Sequence, residues 1–82
     1  MFITYSSKAK EDLVQLDWKL RYKIVNTMGK IAENKKYGAF VKMNTSEFYK
    51  VRLNEHLLIC RFENDEFVIL TVVPKKKPVF PD

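Results

Sequence analysis

Lys50 and Arg52 stand two apart in the segment Phe48-Tyr49-Lys50-Val51-Arg52-Leu53, where apolar and polar residues alternate. In an extended strand that spacing sends both cations from one face and Tyr49, Val51 and Leu53 from the other. His56 follows at the start of the next β-favouring run, Arg61 lies near that run's far end, and Lys75, Lys76 and Lys77 form a triplet after the last one. Cations converging on one sheet face suit a polyanion, because phosphate oxygens accept charge-assisted hydrogen bonds from Lys and Arg. An antiparallel sheet also commonly turns a polar face to water, so the pattern by itself fits either a binding face or a solvated one. Other chemistries find no support. The sequence has no Gly-rich phosphate loop, no paired carboxylates at catalytic spacing and no Ser/His/Asp set. One His and one Cys cannot assemble an ordinary zinc site, so neither a metal nor a cofactor is expected.

The elements that must carry these residues follow from periodicity. Residues 1–5 are apolar and β-favouring, which predicts a short first strand. Ser6 or Ser7 can cap a following helix, with Glu11 and Asp12 favourably placed in its early turns. Leu13, Leu16, Leu20, Ile24, Met28 and Ile31 recur at steps of three and four, a helical stripe. Asp17 interrupts this region and can cap a second helix, and an α-hairpin suits so small a core better than one long helix. Asn34 to Gly38 end the helical region, and the ten residues that follow read as a connecting loop. Strands are predicted over Phe48–Leu53, His56–Phe62 and Phe67–Val73, joined by tight turns at Asn54-Glu55 and Asn64-Asp65. Short connections imply an antiparallel meander. The expected architecture is α+β: a small antiparallel sheet with an N-terminal strand and a helical hairpin packed on one face, in one domain over residues 1–82. Cys60 alternates with Leu58 and Phe62 and reads as a small buried apolar residue. Trp18 reads as a packing or partner-contact residue, and Tyr37, Phe48 and Tyr49 as core or rim aromatics that could also stack on bases.

Composition narrows the field further. The chain has 82 residues, 46% of them hydrophobic and 30% charged, with only two Gly and three Pro, which excludes collagen-like and wholly disordered chains. Fifteen Lys plus Arg against ten Asp plus Glu give a net charge of +5, pointing to nucleic acid, an acidic protein or an anionic surface. The cations Lys8, Lys10, Lys19, Arg21 and Lys23 are interspersed with Glu11, Asp12 and Asp17 and read as a solvated helical face. A single Cys makes a reducing, cytoplasmic compartment the default. No run of about 18 apolar residues exists, so no membrane association is expected.

Three stretches together resemble the RelE/ParE toxin superfamily of bacterial type II toxin–antitoxin modules. Thr4–Asp17, TYSSKAKEDLVQLD, is similar to the family's opening strand and helix. Phe48–Val73, FYKVRLNEHLLICRFENDEFVILTVV, is similar to its basic hairpin. Pro74–Phe80, PKKKPVF, is similar to its basic C-terminal turn. The resemblance covers nearly the whole chain in the right order. It implies a ribosome-dependent mRNA endoribonuclease of the RelE/YoeB kind, held in check by a cognate acidic antitoxin.

Cleavage by attack of a 2′-OH needs a base, an acid and a counter-charge for the crowded phosphate, and RelE-like enzymes use Lys and Arg for this. Carried over by position, Lys50 matches the base and Arg52 the group on the scissile phosphate, with Lys75 or Lys76 countering charge. Arg61, Lys76 and Lys77 are expected to bind RNA phosphates, and His56, in a Glu-His pair that resembles YoeB-like sequences, to supply acid chemistry or sit as a surface residue at the hairpin end. Two departures stand out. Leu57 occupies the place of a phosphate-gripping Arg, and Phe80 that of a C-terminal Tyr and so cannot transfer a proton. A weakened nuclease, a ParE-like inhibitor of DNA gyrase and a catalytically degenerate binding protein are the resulting alternatives.

Overall fold

The computed structural model describes residues 2–44, 47–53 and 55–74. The elements run β1 (Phe2–Tyr5), α1 (Ser7–Val14), α2 (Trp18–Glu33), a 3₁₀ turn (Tyr37–Ala39), β2 (Val41–Lys42), β3 (Phe48–Leu53), β4 (His56–Glu63) and β5 (Glu66–Pro74). They form one sheet in the order β1-β5-β4-β3-β2. Strands β3, β4 and β5 are the expected antiparallel meander, whereas β1 lies parallel to β5, so the sheet is mixed rather than antiparallel throughout. The expected loop after Gly38 instead contains the 3₁₀ turn and a two-residue strand that pairs Val41 with Lys50 and Lys42 with Tyr49. Two residues are too few to show a period in sequence.

The helical hairpin forms as read. Ser6 is the N-cap of α1, and its hydroxyl accepts from the Ala9 N–H at 3.1 Å. Asp17 opens α2 without a side-chain cap hydrogen bond. The helices place Ala9, Leu13, Ile24 and Met28 against Val51, Leu58, Cys60, Phe67, Ile69 and Val72 of the sheet, all buried. Phe40, delivered by the 3₁₀ turn, stacks on Phe67 at 3.7 Å between ring centroids. Asn64 and Asp65 both have positive φ, 52° and 60°, the conformation of the turn that matches hairpin twist. No helix among the described residues is long and apolar enough to cross a membrane.

Asp12 has a role its sequence position did not announce. Strand β1 stops pairing at Tyr5, opposite Ile69, and a register shift in the β4–β5 pairing follows at Ile59/Cys60. Past that point no strand among the described residues pairs with this edge of β5. Asp12 Oδ2 takes its place, accepting from the Val72 N–H at 2.9 Å and from the Thr71 hydroxyl at 2.6 Å, while Lys8 donates to Oδ1. These hydrogen bonds, led by Lys8 and Thr71, hold the carboxyl down at a pKa of about 2 against an ordinary 3.8.

Asp12→Ala would orphan a strand N–H and a hydroxyl, each costing about 1–3 kcal/mol, so its Tm should fall by roughly 10 °C or more. Because the folded pKa is depressed, the charged form stabilises the fold above about pH 4, and that contribution is lost as pH falls toward about 2. Denaturant titrations should therefore show the wild-type advantage over Asp12→Ala shrinking across that interval. A pH-independent difference would mean that the charge of Asp12 contributes nothing.

Candidate nucleic-acid interface

The two faces of the sheet are chemically distinct. Val51 pairs with Leu58, and Tyr49 with Cys60, on the face the helices cover. On the other face Lys50 pairs with Ile59, Arg52 with Leu57 and Phe48 with Arg61. No described helix covers this second face, and all six residues are partly or fully exposed. Lys50 and Arg52 therefore share an open face, as their spacing predicts.

Arg61 lies nearer to this pair than its separation from Leu57 suggests. It is four residues from Leu57 along β4, about 13 Å, but it is the diagonal cross-strand neighbour of Lys50, about 7–8 Å between Cα atoms. The described cations thus run in a row, Arg52, Lys50, Arg61, across two strands. Arg61 is also engaged locally: its Nη2 donates to Glu63 Oε1 at 3.3 Å, and its Nε lies 3.2 Å from Glu63 Oε2 outside hydrogen-bond geometry. Binding a phosphate there means loosening an exposed ion pair, which is typically worth at most about 1 kcal/mol. Between the cations the face is apolar: Leu57 pairs onward with Val73, and Ile59 with Thr71.

His56 does not join this row. It pairs with Leu53 on the helix-covered face and is only 7% exposed, so it is outside the row of Lys50 and Arg52 on the open face and is not a surface residue at the hairpin end. Its two-residue spacing from Leu58 and Cys60 carried that signal. Lys75, Lys76, Lys77 and Phe80 lie outside the described residues. Cys60 is fully buried, and burial pushes its thiol up to about 12, so at neutral pH it is an inert core residue. Tyr37 and Tyr49 pack around Phe67 in the core, whereas Phe48, 36% exposed, borders the open face. Among the described residues no cluster of His, Cys, Asp and Glu could hold a metal ion.

The helices bear a second exposed surface. Trp18, Tyr22 and Val25 of α2 are 62%, 66% and 43% exposed and repeat at helical spacing along one stripe. Val14, at the end of α1, is exposed as well.

No protein-family model matches the sequence, and no curated protein matches it either. Solved structures do match the fold. A RelBE toxin–antitoxin complex from Mycobacterium tuberculosis aligns with a TM-score of 0.74 and 17% identity, over 89% of this chain and 95% of that one. A chromosomal ParDE system from Pseudomonas aeruginosa aligns at 0.72 and 18% identity, over 93% and 97%. The YoeB dimer from Staphylococcus aureus aligns at 0.60 with 28% identity, over 89% and 94%. In strand order, helical hairpin and near-complete mutual coverage, the chain shares the fold of these RelE, ParE and YoeB toxin structures.

Proposed function

We propose that this protein is the toxin of a type II toxin–antitoxin module and that it cleaves mRNA on the ribosome in the manner of the RelE and YoeB proteins it resembles. The observation that carries this reading is the row Arg52, Lys50, Arg61 on the sheet face left open by the helices. Lys50 at its centre is the base that takes the 2′-OH proton as the 2′-oxygen bonds to phosphorus, and the P–O5′ bond breaks with the 5′-oxygen leaving on a proton from water. Arg52 holds the scissile phosphate and stabilises the charge that builds on it, with Arg61 binding an adjacent phosphate. Lys75, Lys76 and Lys77 follow β5 in sequence and are the candidates for further counter-charge. Primer extension on cellular mRNA after induction tests this. Breaks at codon spacing within translated messages are the expected result, and intact messages would overturn it.

One observation favours a second reading. Leu57, Ile59 and Val73 form an apolar strip between the cations, a surface better suited to a protein than to RNA. A ParE-like gyrase inhibitor would use it, and cleaved plasmid DNA with intact messages would identify that activity.

In either reading the partner in the cell is an acidic antitoxin, since the structural neighbours include toxin–antitoxin complexes. The stripe Trp18, Tyr22, Val25 flanked by Lys19, Arg21 and Lys30 suits an amphipathic acidic segment that folds on binding. Tyr22→Glu should weaken antitoxin binding roughly 30-fold, the effect of losing an aromatic anchor, with no loss of fold. Association should slow as salt rises. Calorimetric affinities equal to wild type would take the antitoxin off this stripe.

A further inference from the structure

On the helix side of the sheet a cleft of about 570 Å³ opens between α2 and the β3–β4 hairpin. That volume falls inside the range of about 300–1,000 Å³ typical of small-ligand sites. Leu20 and Leu53 contribute apolar wall. The polar groups are unusual in being unspent. His56 lines the cleft, is 93% buried by its 7% exposure, and its imidazole makes no hydrogen bond with another described residue. Its ring nitrogens are not enclosed by protein and open into the cleft, where a ligand can supply their contact. Lys23, Arg52 and Glu55 line the same cleft, and none forms an ion pair with another described residue. Two cations against one carboxylate leave the lining positive, which selects an anion. The apolar wall and the volume call for more than a bare ion. A metal is a poor fit, because only Glu55 and His56 in the lining are ordinary ligands.

We propose that this cleft binds a small organic anion, one phosphate or carboxylate on an apolar or heterocyclic body. Lys23 and Arg52 hold the anionic group, Thr27 and His56 hydrogen-bond the polar edge, and Leu20 and Leu53 cover the body. Arg52 is shared with the row proposed for the open face, whereas Lys23, Thr27 and His56 belong to this cleft alone, so a Lys23 variant tests it without touching that row.

His56 is the sole histidine, so its imidazole signals report the site without ambiguity. The experiment is an NMR titration of the full chain at fixed pH with adenosine 5′-monophosphate and uridine 5′-monophosphate as the phosphate arm, and indole-3-acetate and benzoate as the carboxylate arm. Inorganic phosphate alone is the control. At least one organic anion should shift the His56 signals saturably with a Kd below about 1 mM, and inorganic phosphate should bind at least about tenfold more weakly. The arm that binds identifies the anionic group. Lys23→Ala should weaken binding about tenfold, the loss of one charge-assisted contact, and Lys23→Gln should do the same. Lys23 is exposed, and an unchanged circular dichroism spectrum and Tm keep the comparison valid. No saturable shift in either arm, equal affinity for inorganic phosphate, or undiminished affinity in both Lys23 variants would each overturn the proposal.

Discussion

Induction of the Lys50→Ala/Arg52→Ala double variant should leave growth unarrested, with a circular dichroism spectrum and Tm close to wild type. Both side chains leave the open face, opposite Ile59 and Leu57, and neither contributes to the buried cluster of Val51, Leu58 and Cys60. Truncating them should therefore shift stability by about 0.5 kcal/mol or less, as surface substitutions usually do. The effect on function is of a different order. Losing one preorganised donor aimed at developing charge costs about 10²- to 10³-fold in rate, and losing the base adds to it without simple additivity. In the proposed nuclease a fall of that size is expected to abolish growth arrest. Val51→Ala is the informative control, since it should lower Tm by cavity formation while leaving the cationic row in place. A folded double variant with full toxicity would remove Lys50 and Arg52 from the mechanism, whichever target the protein has.

The faces of the hairpin were legible because strand alternation is local. Lys50 and Arg52 against Tyr49, Val51 and Leu53 is a period of two that survives into the register unchanged. The helical hairpin was legible for the same reason, through a stripe in which Leu13, Ile24 and Met28 are buried as its spacing requires. What escaped depends on contacts between residues far apart in sequence. Asp12 read as a charge favouring the start of a helix, but its partners are Thr71 and Val72, 59 and 60 residues away. The parallel alignment of β1 with β5 is of this kind too, since nothing within residues 1–5 specifies a direction. His56 is the instructive case. Its neighbours in the segment Asn54-Glu55-His56 drew it toward the cations, while its parity with Leu58 and Cys60 had already set it on the buried side. The cleft it lines arises from α2 crossing the hairpin and had no signature in either element alone.

Leu57→Arg should raise mRNA cleavage by about 10²-fold or more, the inverse of removing a charge-stabilising donor. Leu57 is half-buried on the open face, directly across from Arg52 on β3 and Val73 on β5. A guanidinium introduced there sits beside the existing one, so the two can grip a single phosphate from adjacent strands. The same closeness carries a cost: like charges directly opposite on a sheet destabilise by up to about 1 kcal/mol, a Tm loss of roughly 4–8 °C. A much larger loss would mean that Leu57 is covered rather than open, and that an unpaired cation has been buried. The substitution also separates the two readings of the open face. In a nuclease it restores a missing phosphate contact, and single-turnover cleavage on programmed ribosomes rises. In a gyrase inhibitor it breaks the apolar strip of Leu57, Ile59 and Val73, and inhibition falls while cleavage stays at background. A stable Leu57→Arg variant with no gain in cleavage and weaker gyrase inhibition would move the assignment from RNA to protein, because the face would then be using its apolar strip and not its row of cations.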